Sequence, residues 1–127
     1  MANTDNIISF IAAEAITEYA LVSVDTAGKI AITTAANDTR CVGVAQRACS
    51  TGDSVEVKVS GLTRVIAGDT IANSVSLVMA TTAGKVITHA TQGNYSIGQI
   101  IPNINQASSA ANDQIFINFT GPQNLVP

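Results

Sequence analysis

The stretch Leu21-Val22-Ser23-Val24-Asp25-Thr26-Ala27-Gly28-Lys29-Ile30 returns as Leu77-Val78-Met79-Ala80-Thr81-Thr82-Ala83-Gly84-Lys85-Val86. Leu-Val and Thr-Ala-Gly-Lys recur at one offset, and an aliphatic residue follows each lysine. Upstream, Phe10-Ile11-Ala12-Ala13-Glu14-Ala15-Ile16 aligns with Val65-Ile66-Ala67-Gly68-Asp69-Thr70-Ile71. Downstream, Val42-Gly43-Val44-Ala45 aligns with Ile97-Gly98-Gln99-Ile100, and Asp53 to Gly61 aligns with Asp113 to Gly121. Blocks that recur in the same order mark an internal duplication. Such a chain must adopt a supersecondary unit that can be built twice. The units run from about residue 7 to 62 and from about 63 to 121, within a single domain spanning 1–127. Short arms, 1–6 and 122–127, flank them.

Each unit reads as strands. From Ser54 to Ser60 the chain alternates strictly, with Val55, Val57 and Val59 on one face and Ser54, Glu56 and Lys58 on the other. That is the period of a half-buried antiparallel strand. Its counterpart buries Ile115, Ile117 and Phe119 but places Phe116 on the outer face. Thr26-Ala27-Gly28-Lys29 and Thr81 to Lys85 read as tight hairpin loops whose glycine takes a positive φ. Gly52-Asp53, Gly61, Gly68-Asp69 and Gly93-Asn94 are further turn signals. The spacing predicts about five strands per unit. The candidates are 7–11, 20–24, 29–33, 41–46, 54–60, 62–67, 76–80, 85–89, 96–101 and 114–120. Ala12 to Glu18 and Asn103 to Asn112 read as loops, and little helix is expected.

Only 12% of the residues are charged, about half the usual fraction of a soluble domain. A surface so poor in charge costs little to desolvate and reads as one meant to be partly covered. The net charge is −3, and Lys29, Arg40, Arg47, Lys58, Arg64 and Lys85 are scattered. Phosphate backbones need clustered cations, so no nucleic-acid partner is expected. The apolar runs are only a few residues long, so no membrane role is expected. Met1 to Asn6 lacks a basic flank and a long apolar stretch, and no signal peptide is read there. In a reducing compartment Cys41 and Cys49 read as two small semi-buried thiols, not a required staple.

No catalytic motif survives inspection. The two Gly-Lys pairs lack the upstream glycine and the following hydroxyl of a phosphate loop. His89 is the sole histidine and reads as a surface or interface side chain. Glu14, Asp25, Asp38, Asp53, Asp69 and Asp113 mostly sit beside turn residues, where a carboxylate caps backbone N–H groups. An acid–base pair from Asp53 or Glu14 with Asp69 is the remaining catalytic alternative. No catalytic residue, metal site or cofactor is assigned.

The run Val42-Gly43-Val44-Ala45, then Gly52-Asp53, then Val55, Val57, Val59 and Gly61 resembles the small capsid decoration (cement) proteins of tailed bacteriophages. Ala67-Gly68-Asp69-Thr70-Ile71 and the Thr-Ala-Gly-Lys hairpin suit the same pattern, so the resemblance spans residues 42–101. The second copy departs from it, with Ala111-Asn112 where the first has its Gly52 turn, after a longer polar loop. The resemblance implies an all-β fold, a compact antiparallel β-barrel or β-tulip-like domain, here internally duplicated. It also implies a structural virion protein, made in the host cytoplasm, that binds the capsid surface and cements contacts between major capsid protein subunits. Self-association as a homotrimer follows from the same resemblance, and the outward Phe116 has apolar area to hide in such a ring. The alternatives are a tail or fibre β-domain and a small-ligand or carbohydrate-binding module. Candidate partner-contact residues are Asn3, Thr4, Asp5 and Asn6 in the first arm, Phe116, and Gln123, Asn124, Leu125 and Val126 in the last. An uncharged arm with an apolar Leu-Val tip can order on a neighbouring subunit.

Overall fold

The fold is described from a computed structural model for residues 6–72, 77–90, 94–101 and 108–123. In chain order the strands are β1 (Ile7–Ile11), β2 (Leu21–Val24), β3 (Ile30–Ile32), β4 (Cys41–Ala45), β5 (Ser54–Lys58) and β6 (Gly61–Ile66). They continue with β7 (Ile71–Ala72), β8 (Leu77–Ala80), β9 (Val86–Thr88), β10 (Ser96–Ile101), β11 (Ser108–Ser109) and β12 (Gln114–Gln123). A 3-10 turn at Thr82–Gly84 is the only helical element among the described residues. Sheet one has the order β1-β5-β4-β2-β3 and sheet two the order β6-β12-β10-β8-β9. Their pairings are antiparallel throughout, and β7 and β11 form a separate two-stranded ribbon.

The two sheets share one connectivity, and backbone hydrogen bonds recur at matching positions. Ala12 N–H donates to the Asp53 carbonyl and Ala67 N–H to the Asp113 carbonyl, both at 2.9 Å. Asp25 N–H donates to the Lys29 carbonyl and Thr81 N–H to the Lys85 carbonyl, both at 2.8 Å. The turn that differs in sequence keeps its backbone. Gly52 has φ 87° and Asn112, its counterpart, has φ 70°. Asparagine is among the few non-glycine residues that tolerate this left-handed region.

The barrel expected from the sequence is not closed. The first and last strands of sheet one meet at a single parallel bridge, Ala12 to Ile30, and those of sheet two at Ala67 to Val86. Each sheet therefore curls until its edges touch at one point, and no continuous ladder joins them. Where β3 would offer a bare edge, the Glu14 carboxylate accepts the Ile32 N–H at 2.9 Å. Closing a ladder requires strand number, tilt and stagger to agree, and edge strands of three residues, β3 and β9, are too short to supply a full run of pairs. At the chain's end β12 continues through Gly121 and Pro122 to Gln123, which pairs with Ser96. Pro122 and Gln123 thus belong to a strand.

Two apolar cores result. The first is sheet one's own: Val22, Ile30, Val55 and Val57 pack against Ala12, Ile16, Ala20 and Ala45. The second gathers Val65, Val78, Val86, Ile97, Ile117 and Phe119 of sheet two, together with Leu21, Cys41 and Val44 from the outer face of sheet one. Burying each large aliphatic side chain contributes roughly 1.5–3 kcal/mol. Strands β2 and β4 are therefore covered on both faces, which suits their lack of a strict polar–apolar alternation. Polar bonds hold the seam between the halves. Gly84 N–H donates to the Thr33 carbonyl at 2.9 Å, Tyr95 N–H to the Ala36 carbonyl at 3.0 Å, and Gln46 Nε2 to Thr63 Oγ1 at 3.1 Å.

Candidate functional site

The carboxylates act on backbone. Asp25 accepts the N–H groups of Ala27 and Lys29, Asp38 that of Arg40, Asp53 that of Ser50, Asp69 that of Thr70, and Asp113 that of Ala110, at 2.8–3.0 Å. Asp53 and Asp69 thus hold turns of different halves, and Glu14 covers the edge of β3. Among the described residues no group of three His, Cys, Asp or Glu is placed to hold a metal ion.

One polar cluster lies partly buried at the seam. Ser23 Oγ lies 2.7 Å from both Thr33 Oγ1 and Asp38 Oδ2. Burial, first of all, pushes the Cys41 thiol beside this cluster up to about 11, against a weaker opposing hydrogen bond with Thr33. A thiol so disfavoured as thiolate is a poor nucleophile and a poor metal ligand. Both cysteines are free, and they sit in different surroundings: Cys41 in the second core, Cys49 against the first. His89, which reads as a surface or interface residue in the sequence, is buried at the position matching Thr33. Both donate their N–H to a β2 or β8 leucine carbonyl, Leu21 or Leu77.

Packing inside the chain leaves the outer face of sheet two unexplained, as it does Ile8 and Ile11 on β1, which are 50% and 42% exposed. Phe116 pairs across the ladder with Ile101 on β10 and with Arg64 on β6, so these three side chains form one row. The adjacent row is Gln99, Asn118 and Leu62. Leu62, Ile101 and Phe116 are 60%, 45% and 42% exposed, where an ordinary strand turns polar side chains outward. Arg64 holds its guanidinium 5.1 Å from the Phe116 ring centroid and donates to Gln114 Oε1 at 3.4 Å. No carboxylate stands on β6, β10 or β12.

Of the contact residues proposed from the sequence, Phe116 lies on this face. Asn6 does not: it adjoins sheet one, where its carbonyl accepts the Val59 N–H at 2.9 Å. Gln123 lies at the opposite end of β12 from Phe116. Asn3, Thr4, Asp5, Asn124, Leu125 and Val126 lie outside the described residues. Leu62, Arg64 and Ile101 escaped the sequence reading because each is unremarkable in its own strand. Only the ladder register brings them beside Phe116.

Among known proteins, the crystal structure described as "head fiber gp8.5 N base in bacteriophage phi29" is similar to this chain. The TM-score is 0.69 at 14% sequence identity, covering 92% of this chain and 96% of that one. At such identity the likeness establishes a shared fold. No curated protein matches by sequence. A scan against protein families matches residues 2–118 to the phage cement proteins. With nearly the whole length matched, and with an all-β framework under it, this chain belongs to the phage cement protein family.

Proposed function

We propose that this protein is a structural, non-enzymatic virion component that binds the outside of a phage capsid and stabilises contacts between major capsid protein subunits. The observation that carries this reading is the family match over residues 2–118. The scarcity of charge supports it, because a chain with only 12% charged residues presents a surface that is cheap to cover. The reading includes a homotrimer as the binding form and descent of the two halves from a duplication, for which the shared strand order of the sheets is the support. It also gives the segments 1–5 and 124–127 to contacts with neighbouring subunits. The test is addition of the purified protein to shells that lack it. Stoichiometric co-sedimentation, density at subunit junctions and a raised shell melting temperature are the expected results. Light scattering that gives a 13.0 kDa monomer both free and at high concentration, with monomeric density on shells, would refute the trimer.

A second reading is the base of a head fibre, favoured by the likeness to the phi29 head-fibre base. Electron microscopy separates the two: a fibre base carries a projecting shaft, whereas a cement protein lies flat across junctions and raises shell stability by itself.

A further inference from the structure

Resting on the cement reading, we propose that the outer face of sheet two, centred on Phe116 with Arg64 beside it, is the face that docks on the shell, and that its partner is a different protein presenting an apolar patch with a carboxylate. The halves differ at this place. In sheet one the positions matching Ile101, Phe116 and Arg64 are Gln46, Glu56 and Ser9. Glu56 is paired there with Arg47 at 3.1 Å. The wholly polar row of one half thus carries an isoleucine, a phenylalanine and an arginine in the other.

Stacking makes the same point. The outer face of sheet one at Leu21, Cys41 and Val44 is covered by the inner face of sheet two. The outer face of sheet two is the corresponding surface one layer further out: Met79 and Ser96 are buried there, whereas Leu62, Ile101 and Phe116 stay open. A terminal layer that remains in water needs a polar outer face. This one instead has the composition of an interface centre: aliphatics, an aromatic and an arginine, with no acid.

The chemistry of the face excludes the simplest self-contact. A face-to-face copy would bring Arg64 towards Arg64 without a carboxylate between them. A second copy cannot continue the stack either, because the inner face of its first sheet is already sealed: Val22, Ile30, Val55 and Val57 are fully buried. A foreign surface that supplies apolar contact and a negative charge for Arg64 complements this face. This assigns Phe116 to the shell and not to the contact within a trimer.

The experiment measures binding of the full chain to shells that lack it, for the unmodified protein, Phe116→Ser, Arg64→Glu, Leu62→Ser and, as a control on sheet one, Glu56→Gln. Each sheet-two variant is expected to bind about tenfold more weakly or worse, as for a truncated interface anchor, while melting within a few degrees of the parent. Glu56→Gln is expected to bind as the parent does. Three outward positions are tested, so one variant that misfolds leaves two to decide. If the unmodified protein binds and folded sheet-two variants bind equally well, the inference is overturned and the cement reading stands. If the unmodified protein does not bind shells at all, the cement reading falls and the inference with it. Sedimentation equilibrium without shells supplies the last outcome: dissociation of an oligomer by Phe116→Ser would make the face a self-contact and overturn the proposal.

Discussion

Cys41 links a single side chain to the stability of the whole molecule. Burial raises its thiol from an ordinary value of 9.0 to about 11. The unfolded chain therefore loses this proton first as pH rises, and binding fewer protons when unfolded means that stability falls with pH. The contribution is complete below pH 9 and declines between 9 and 11, the loss reaching roughly 2–3 kcal/mol at the upper end. Urea titrations at pH 8 and pH 11 should show this loss in the parent and a smaller one in Cys41→Ala, which has no thiol to ionise. Packing gives a second test at this scale. Val57 and Ile117 occupy matching positions in β5 and β12, and both are fully buried. Truncating either to alanine should cost about 2–4 kcal/mol. A loss below about half a kcal/mol at both positions would mean that neither side chain is anchored in its core.

At the scale of elements, the strands were legible wherever one face met water. Residues 54–60 and 114–120 alternate in the sequence, and β5 and β12 follow that phase, with Phe116 turned outward as the broken alternation predicts. Two things were not legible. Strands β7 and β11 have two residues each, too few to carry a period. The register irregularities at Val22/Ser23 and Ser96/Gly98 leave no local mark either, though the glycines beside them do. A Cβ on Gly98 would stand 2.6 Å from the Asn118 carbonyl oxygen, and one on Gly43 would run into the Lys58 carbonyl oxygen. The recurring glycine of the Val-Gly-Val-Ala block is there because the neighbouring backbone occupies the side chain's place. Gly43→Ala or Gly98→Ala should therefore cost about 1–3 kcal/mol or more, read as a lowered urea midpoint with an unchanged slope. The candidate face was half legible for the same reason: a broken alternation shows in one strand, whereas a cross-strand row exists only after pairing.

At the scale of the molecule, the halves share one core although each has its own sheet. Leu21, Cys41 and Val44 belong to sheet one by hydrogen bonding and to the second core by packing. Thermal unfolding should accordingly be one transition, with calorimetric and van't Hoff enthalpies in agreement. Two resolved transitions would show that the seam carries little energy. The edge of β3 has a further consequence at this scale. An uncovered strand edge invites pairing with the next molecule, the first step towards fibrous aggregation. The carboxylate of Glu14 already takes the Ile32 N–H, and its negative charge repels the carbonyl oxygens of an incoming strand. Glu14→Ala should leave the monomer folded yet promote slow formation of thioflavin-positive assemblies in concentrated stocks, so that crowding, harmless to the parent protein, becomes a hazard once one side chain is removed.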